Sequence, residues 1–134
     1  MTPISKSIDI ALLLIRVIFG SFMIYGHGWR KLLRFFGDAP IQFADPFGLG
    51  SVPSLVLATF AEVICALLII IGLWTRWATI PIIITMLVAA FIANAGQPFN
   101  DRELALVYLF GFAAIAIAGP GWYSVDAQWI KKKI

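Results

Sequence analysis

The chain is poor in the residues most enzymes use. It has 134 residues with one cysteine, one histidine, ten Lys or Arg and seven Asp or Glu. A single cysteine, Cys65, excludes an intrachain disulfide or a Cys-x-x-Cys dithiol, so any thiol relay would need a second protein. It reads as a small buried apolar residue. A single histidine, His27, cannot supply two axial imidazoles to haem. His27, Glu62 and Glu103 fall on three separate predicted helices without ligand spacing, so the reading includes no metal site and no haem. No basic run interleaved with aromatics marks a nucleic-acid surface. Charged residues make up only 13% of the chain, against about 25% in a soluble domain. No internal repeat and no low-complexity segment is present.

Hydrophobic length takes the place of charge. The chain is 61% hydrophobic with a mean hydropathy of +0.94. Apolar runs of this kind match the hydrocarbon core, which takes roughly 20 residues of helix. The sequence predicts four transmembrane helices, over about 8–29, 54–74, 77–95 and 102–118, as an all-α, up-down membrane bundle in one domain. Lys6 before the first run is signal-like, but the run ends in Tyr25-Gly26-His27-Gly28-Trp29, with no small-x-small cleavage site, so a retained helix is expected. Pro81 is expected in the first turn of the third helix, where its missing amide costs little.

The connection over 30–53 is long, broken by glycines and prolines, and carries Phe35, Phe36, Phe43 and Phe47. Those aromatics predict a loop that lies in the interface or folds back over the helices, not a disordered linker. A short amphipathic tail, 119–134, ends in Lys131-Lys132-Lys133. Four spans put both termini on one side. The triple lysine favours the cytoplasm, and the lipid bilayer is the first expected partner.

Two charges interrupt the apolar runs, Arg16 in the first and Glu62 in the second. A charge at mid-depth costs at least about 2.5–3.5 kcal/mol, so it faces protein or water and has a partner. Helical spacing places Arg16, Gly20, Met23, His27 and Lys31 on one stripe. Ala58 and Ala66, four residues either side of Glu62, permit close helix approach. Glu103 opens the fourth helix at the level of His27 and Lys31.

Arg16 with Glu62 is the obvious pair, although their axial offset is roughly 7 Å at 1.5 Å per residue. Asp9 and Asp126 are rival partners for Arg16, and Lys31 and His27 for Glu62. These charges have two readings, an ionic lock that fixes helix register or a polar ligand pocket. His27 has two as well, an interfacial hydrogen-bonding group or a proton exchange site.

The string Arg16 … His27-Gly28-Trp29-Arg30-Lys31-Leu32, then Glu62, then Gly72-Leu73-Trp74-Thr75-Arg76, resembles the DoxX family of small bacterial membrane proteins. Glu103-Leu104-Ala105-Leu106 resembles the start of that family's last helix. Gly119-Pro120-Gly121-Trp122-Tyr123-Ser124-Val125-Asp126 resembles its closing motif. The chain departs where the family tends to have small glycines after the glutamate, carrying Val63, Ile64 and Cys65 instead.

The resemblance implies a four-helix protein of the bacterial inner membrane, labelled an oxidoreductase, with kinship to DoxD and thiosulfate:quinone oxidoreduction. It makes Arg16, His27, Lys31, Glu62 and Glu103 the candidate site residues, with no catalytic residue identified. It implies a component of a redox or redox-stress system, working as a homo-oligomer or with other redox proteins. The expected ligand is quinone-like or small and acidic. The alternatives are a non-catalytic scaffold that recruits soluble redox enzymes and a small permease or proton-coupled carrier. Redox chemistry rests on the resemblance alone.

Overall fold

Apolar sequence between breakers decides where the helices lie. The computed structural model describes residues 4–43 and 45–133. Helix α1 spans Lys6–Arg34, α2 spans Ser51–Ile71 and α3 spans Thr75–Ala93, each long and apolar enough to cross a membrane. Helix α4 spans Phe99–Ala118, and a short α5 covers Val125–Lys133. Helix α4 opens with Asp101, Arg102 and Glu103. Its uncharged stretch from Leu104 to Ala118 is about 22 Å long, shorter than the hydrocarbon core. The expectation that both termini share one side bears partly on residues outside those described.

Several boundaries differ from expectation, each for a local reason. Helix α1 continues past Trp29 to Arg34, so the connection shrinks to residues 35–50. Helix α2 begins at Ser51, because Pro53 in a first turn removes only an amide that would lack an intrahelical partner. It stops at Gly72, whose φ of 76° is left-handed, with Leu73 N–H donating to Leu68 O at 2.9 Å. Helix α3 begins two residues earlier than expected, so Pro81 falls in its second turn. The short amphipathic tail holds a helix, Val125–Lys133.

Three helices widen locally into π-turns, at Ile24–Gly28 in α1, Phe60–Cys65 in α2 and Ala89–Ala93 in α3. The i→i−5 bond is explicit at Trp29 N–H to Ile24 O and at Asn94 N–H to Ala89 O. Such turns insert one residue, rotate the remainder of the helix, and recur at functional sites.

Packing is inside-out relative to a soluble protein. Arg16, Asp9 and Glu62 are buried, while Leu14, Phe22, Tyr25, Ile84, Phe110 and Ile117 are exposed. That outer surface suits acyl chains, and the core of Met23, Ala66, Ile69, Ile82, Phe112 and Ile115 lies within. Helix α3 packs along α4, and α1 packs against the end of α2. Gly20 permits the second contact, since a Cβ there would lie 3.1 Å from Ala66 O. Ala66 itself is fully buried, as its small size suggests.

Candidate functional site

The site begins with a glycine. A Cβ on Gly28 would lie 2.7 Å from both Glu62 O and Val63 Cγ2, so α1 and α2 approach there as only glycine allows. Lys31 follows one turn later on α1. Its Nζ lies 2.7 Å from Glu62 Oε2, and the two side chains are 19% and 3% exposed. The π-turns Ile24–Gly28 and Phe60–Cys65 carry Gly28 and Glu62 at this contact. An ammonium and a carboxylate at this distance form an ion pair, whose attraction is strong where water is scarce.

The ion pair borders a cavity of about 320 Å³ between α2 and α3. Its walls are apolar, with Leu57, Ala58, Ile84 and Val88, and the connecting loop contributes Phe43 and Phe47 as a roof. Asp45 organises that loop. Its two carboxylate oxygens accept the Leu49 and Gly50 amides at 2.8 Å each, and Oδ1 also accepts Ser54 Oγ–H at 3.1 Å. The Gly50 amide, helped by Leu49 and Ser54, holds the Asp45 carboxyl below the usual carboxylate range. At the other edge Arg34 sits 5.9 Å from the Phe43 ring centre and donates to Gln42 O at 3.4 Å.

His27 and Glu103 do not border this cavity. The half-buried His27 ring meets Tyr108 of α4 edge-on, with centroids 5.4 Å apart. Tyr108 stacks on Phe112 at 6.2 Å and lies close enough to feel the Glu62 charge. Glu103 is exposed in the second turn of α4. Its neighbour Arg102 makes the joint instead, donating to Ala90 O in the α3 π-turn at 2.7 Å. Tyr108 and Arg102 escaped sequence reasoning because a tyrosine and an arginine in an apolar helix also suit an interface.

Arg16 is fully buried and does not pair with Glu62, the obvious pair from sequence; Lys31, one of the rivals, takes that carboxylate. Its Nη1 donates to Ile69 O and Ile70 O at 3.2 Å each, and its Nη2 to Tyr123 O. The axial offset and the tilt of side chains toward helix N-termini carry the two charges apart. Near the end of α2, where carbonyls run out of intrahelical donors, Ile70 O takes the guanidinium, and Ile69 O shares it with the Gly72 N–H. Asp126, one of the rival partners, acts on Arg16 through its charge. Asp9, the other, is buried and accepts Trp122 N–H at 2.9 Å. Among the described residues no three His, Cys, Asp or Glu side chains gather to hold a metal ion.

The DoxX family profile matches residues 11–95 of the chain. The chain belongs to the DoxX family. It is also 32% identical over 119 residues to an uncharacterized protein of Haemophilus influenzae, covering 84% of this chain and 86% of that one. No solved structure matches it. The DoxX match takes in α1, α2 and α3, with both members of the ion pair, and ends before α4.

The turn at Gly72–Thr75, inside the DoxX match, is completed by residues beyond it. Asp126 accepts Trp74 N–H at 2.8 Å and both Thr75 N–H and Thr75 Oγ–H at 3.0 Å, capping α3 from the far end of the chain. Its own N–H donates to Gly72 O at 2.9 Å. Trp74 has a φ of 49°, a left-handed value unusual for a side chain of this size. The Asp126 clasp holds it there.

Proposed function

We propose that this DoxX-family protein is a multi-pass component of a bacterial inner-membrane redox system that binds a quinone-like ligand in the roofed cavity beside Lys31 and Glu62. In this reading α1–α4 form an up-down four-helix bundle with both termini in the cytoplasm. The observation that carries it is the ion pair at the margin of a cavity whose other walls are mostly apolar, with Ser54 and Thr85 besides. A quinone needs an apolar slot for its ring and tail and a donor for its carbonyl oxygen. Lys31 supplies the donor, and Glu62 supplies a carboxyl that can exchange a proton with a quinol hydroxyl. A small acidic ligand suits the cavity less, since Glu62 already neutralises Lys31 and the walls offer little else. Arg16 takes no part, because its guanidinium serves backbone carbonyls.

The test is extraction of prenylquinones from the full chain purified out of its native membrane, with mass-spectrometric quantitation. Wild type should retain quinone well above the level of bulk lipid. Ala58→Phe, which fills the cavity, should lose it at least about tenfold at unchanged helicity, the cost of about 1.4 kcal/mol. Quinone equal to bulk lipid in both proteins would sink the reading. If soluble redox enzymes then copurify only while the loop is intact, the scaffold role takes its place.

A further inference from the structure

The two ends of the molecule expose different charge. At one end the start of α1, the start of α3, the end of α4 and α5 are tied together by Asp9–Trp122, Asp126–Thr75 and Arg76–Ile117 hydrogen bonds. Asp9 is buried and its Oδ1 accepts the Trp122 amide, while both oxygens of Asp126 accept from Trp74 and Thr75. Among the described residues the exposed charges left at that end are Lys6, Arg76, Lys131 and Lys132, all positive. The opposite end exposes Asp38, Asp45, Asp101 and Glu103 beside Arg30 and Arg34. Beside Arg76 lies an open cleft of about 570 Å³ lined by Trp74, Trp77, Trp129, Pro120 and Ile130, with Asp126 also in its wall, its carboxylate already accepting from Trp74 and Thr75. Arg76 makes one long hydrogen bond, from Nη2 to Ile117 O at 3.4 Å, which spares most of its donor fork.

We propose that this cleft binds an anionic phospholipid, with the headgroup phosphate on Arg76 and the glycerol and upper acyl chain against the tryptophans. A guanidinium takes phosphate oxygens in bidentate fashion. Indole rings settle at headgroup depth, where one edge is wet and the face apolar. Lys131 and Lys132 add long-range attraction to an anionic leaflet. The tryptophan walls commit the site to lipid. Free phosphate would use the same guanidinium but gain nothing from three indoles. The site stands apart from the quinone cavity, so either can fail without the other.

The test is tryptophan quenching in the full chain reconstituted into phosphatidylcholine vesicles. These contain the same low mole fraction of brominated phosphatidylglycerol or brominated phosphatidylcholine. The anionic lipid should quench with an apparent preference of about five-fold, the value of one cation near an anionic surface. The preference should shrink as salt rises. Arg76→Gln should remove most of it, and Arg76→Lys should restore part. Lys131→Gln with Lys132→Gln, two exposed positions free of the Ile117 bond, should weaken it at unchanged helicity. Equal quenching by both lipids, or a preference that survives all these substitutions, overturns the proposal. Relief of quenching by inorganic phosphate beyond that by chloride at equal ionic strength assigns the cleft to free anions and overturns it equally.

Discussion

Lys31 meets Glu62 at 2.7 Å, whereas the fully buried Arg16 reaches the carbonyls of Ile69, Ile70 and Tyr123. The two cations of one helix thus do different work. Arg16 supplies a donor to Ile70 O and a second one, beside the Gly72 N–H, to Ile69 O, at a helix end where carbonyls away from water need partners. Lys31 and Glu62 balance each other's charge beside a mostly apolar cavity, where an entering carbonyl or hydroxyl could compete for either group.

That division fixes the outcome of a mutant cycle. Lys31→Met strands the Glu62 carboxylate and should cost about 3 kcal/mol of stability, while Lys31→Met with Glu62→Leu should recover most of the loss. Arg16→Leu and Glu62→Leu share no partner, so their costs should add. Thermal unfolding in detergent measures all of these. A double variant of Arg16 and Glu62 more stable than Arg16→Leu alone would restore their direct pairing.

Acid should loosen the loop before it loosens the helices. The Gly50, Leu49 and Ser54 donors lower the Asp45 pKa in the folded state. A lowered folded pKa means that this contribution is complete above the ordinary carboxylate value of 3.8 and disappears as pH falls through the lowered one. Protease nicking within residues 35–50 should therefore rise below about pH 4 in wild type. In Asp45→Asn it should be high at every pH, since the amide cannot accept with both ends. Equal resistance of the two proteins at neutral pH would remove Asp45 from its organising role.

Much of this architecture is legible in the sequence, and the rest is hidden for identifiable reasons. The apolar runs mark α1–α3, and the lone charges Arg16 and Glu62 mark the interior, because both follow from composition over a window. The roof of Phe43 and Phe47 follows from aromatics in a breaker-rich connection. Partner choice is different. A register shift of a few ångströms decides whether Glu62 meets Arg16 or Lys31, and π-turns in both helices make shifts that no periodic wheel contains. Helix ends are hidden too, since the start of α3 depends on Asp126, about fifty positions away. Glu103 misleads because Arg102, next to it, makes the contact with α3.

The last prediction uses two glycines in one π-turn. A Cβ added to Gly26 would have nothing within 4 Å, whereas one on Gly28 would face Glu62 O and Val63 at 2.7 Å. Glycine inside a helix costs roughly 0.5–1 kcal/mol relative to alanine, so Gly26→Ala should be neutral or stabilising by up to that amount. Gly28→Ala gains the same backbone term but must push α1 off α2, which also draws Lys31 away from Glu62. It should destabilise by about 1–3 kcal/mol, the usual cost of overpacking. It should also lower retention of whatever occupies the adjoining cavity. Thermal unfolding of the two variants side by side gives the signs directly. If both shift stability in the same direction, Gly28 does not set the approach of α1 to α2, and the placement of Lys31 against Glu62 needs another cause.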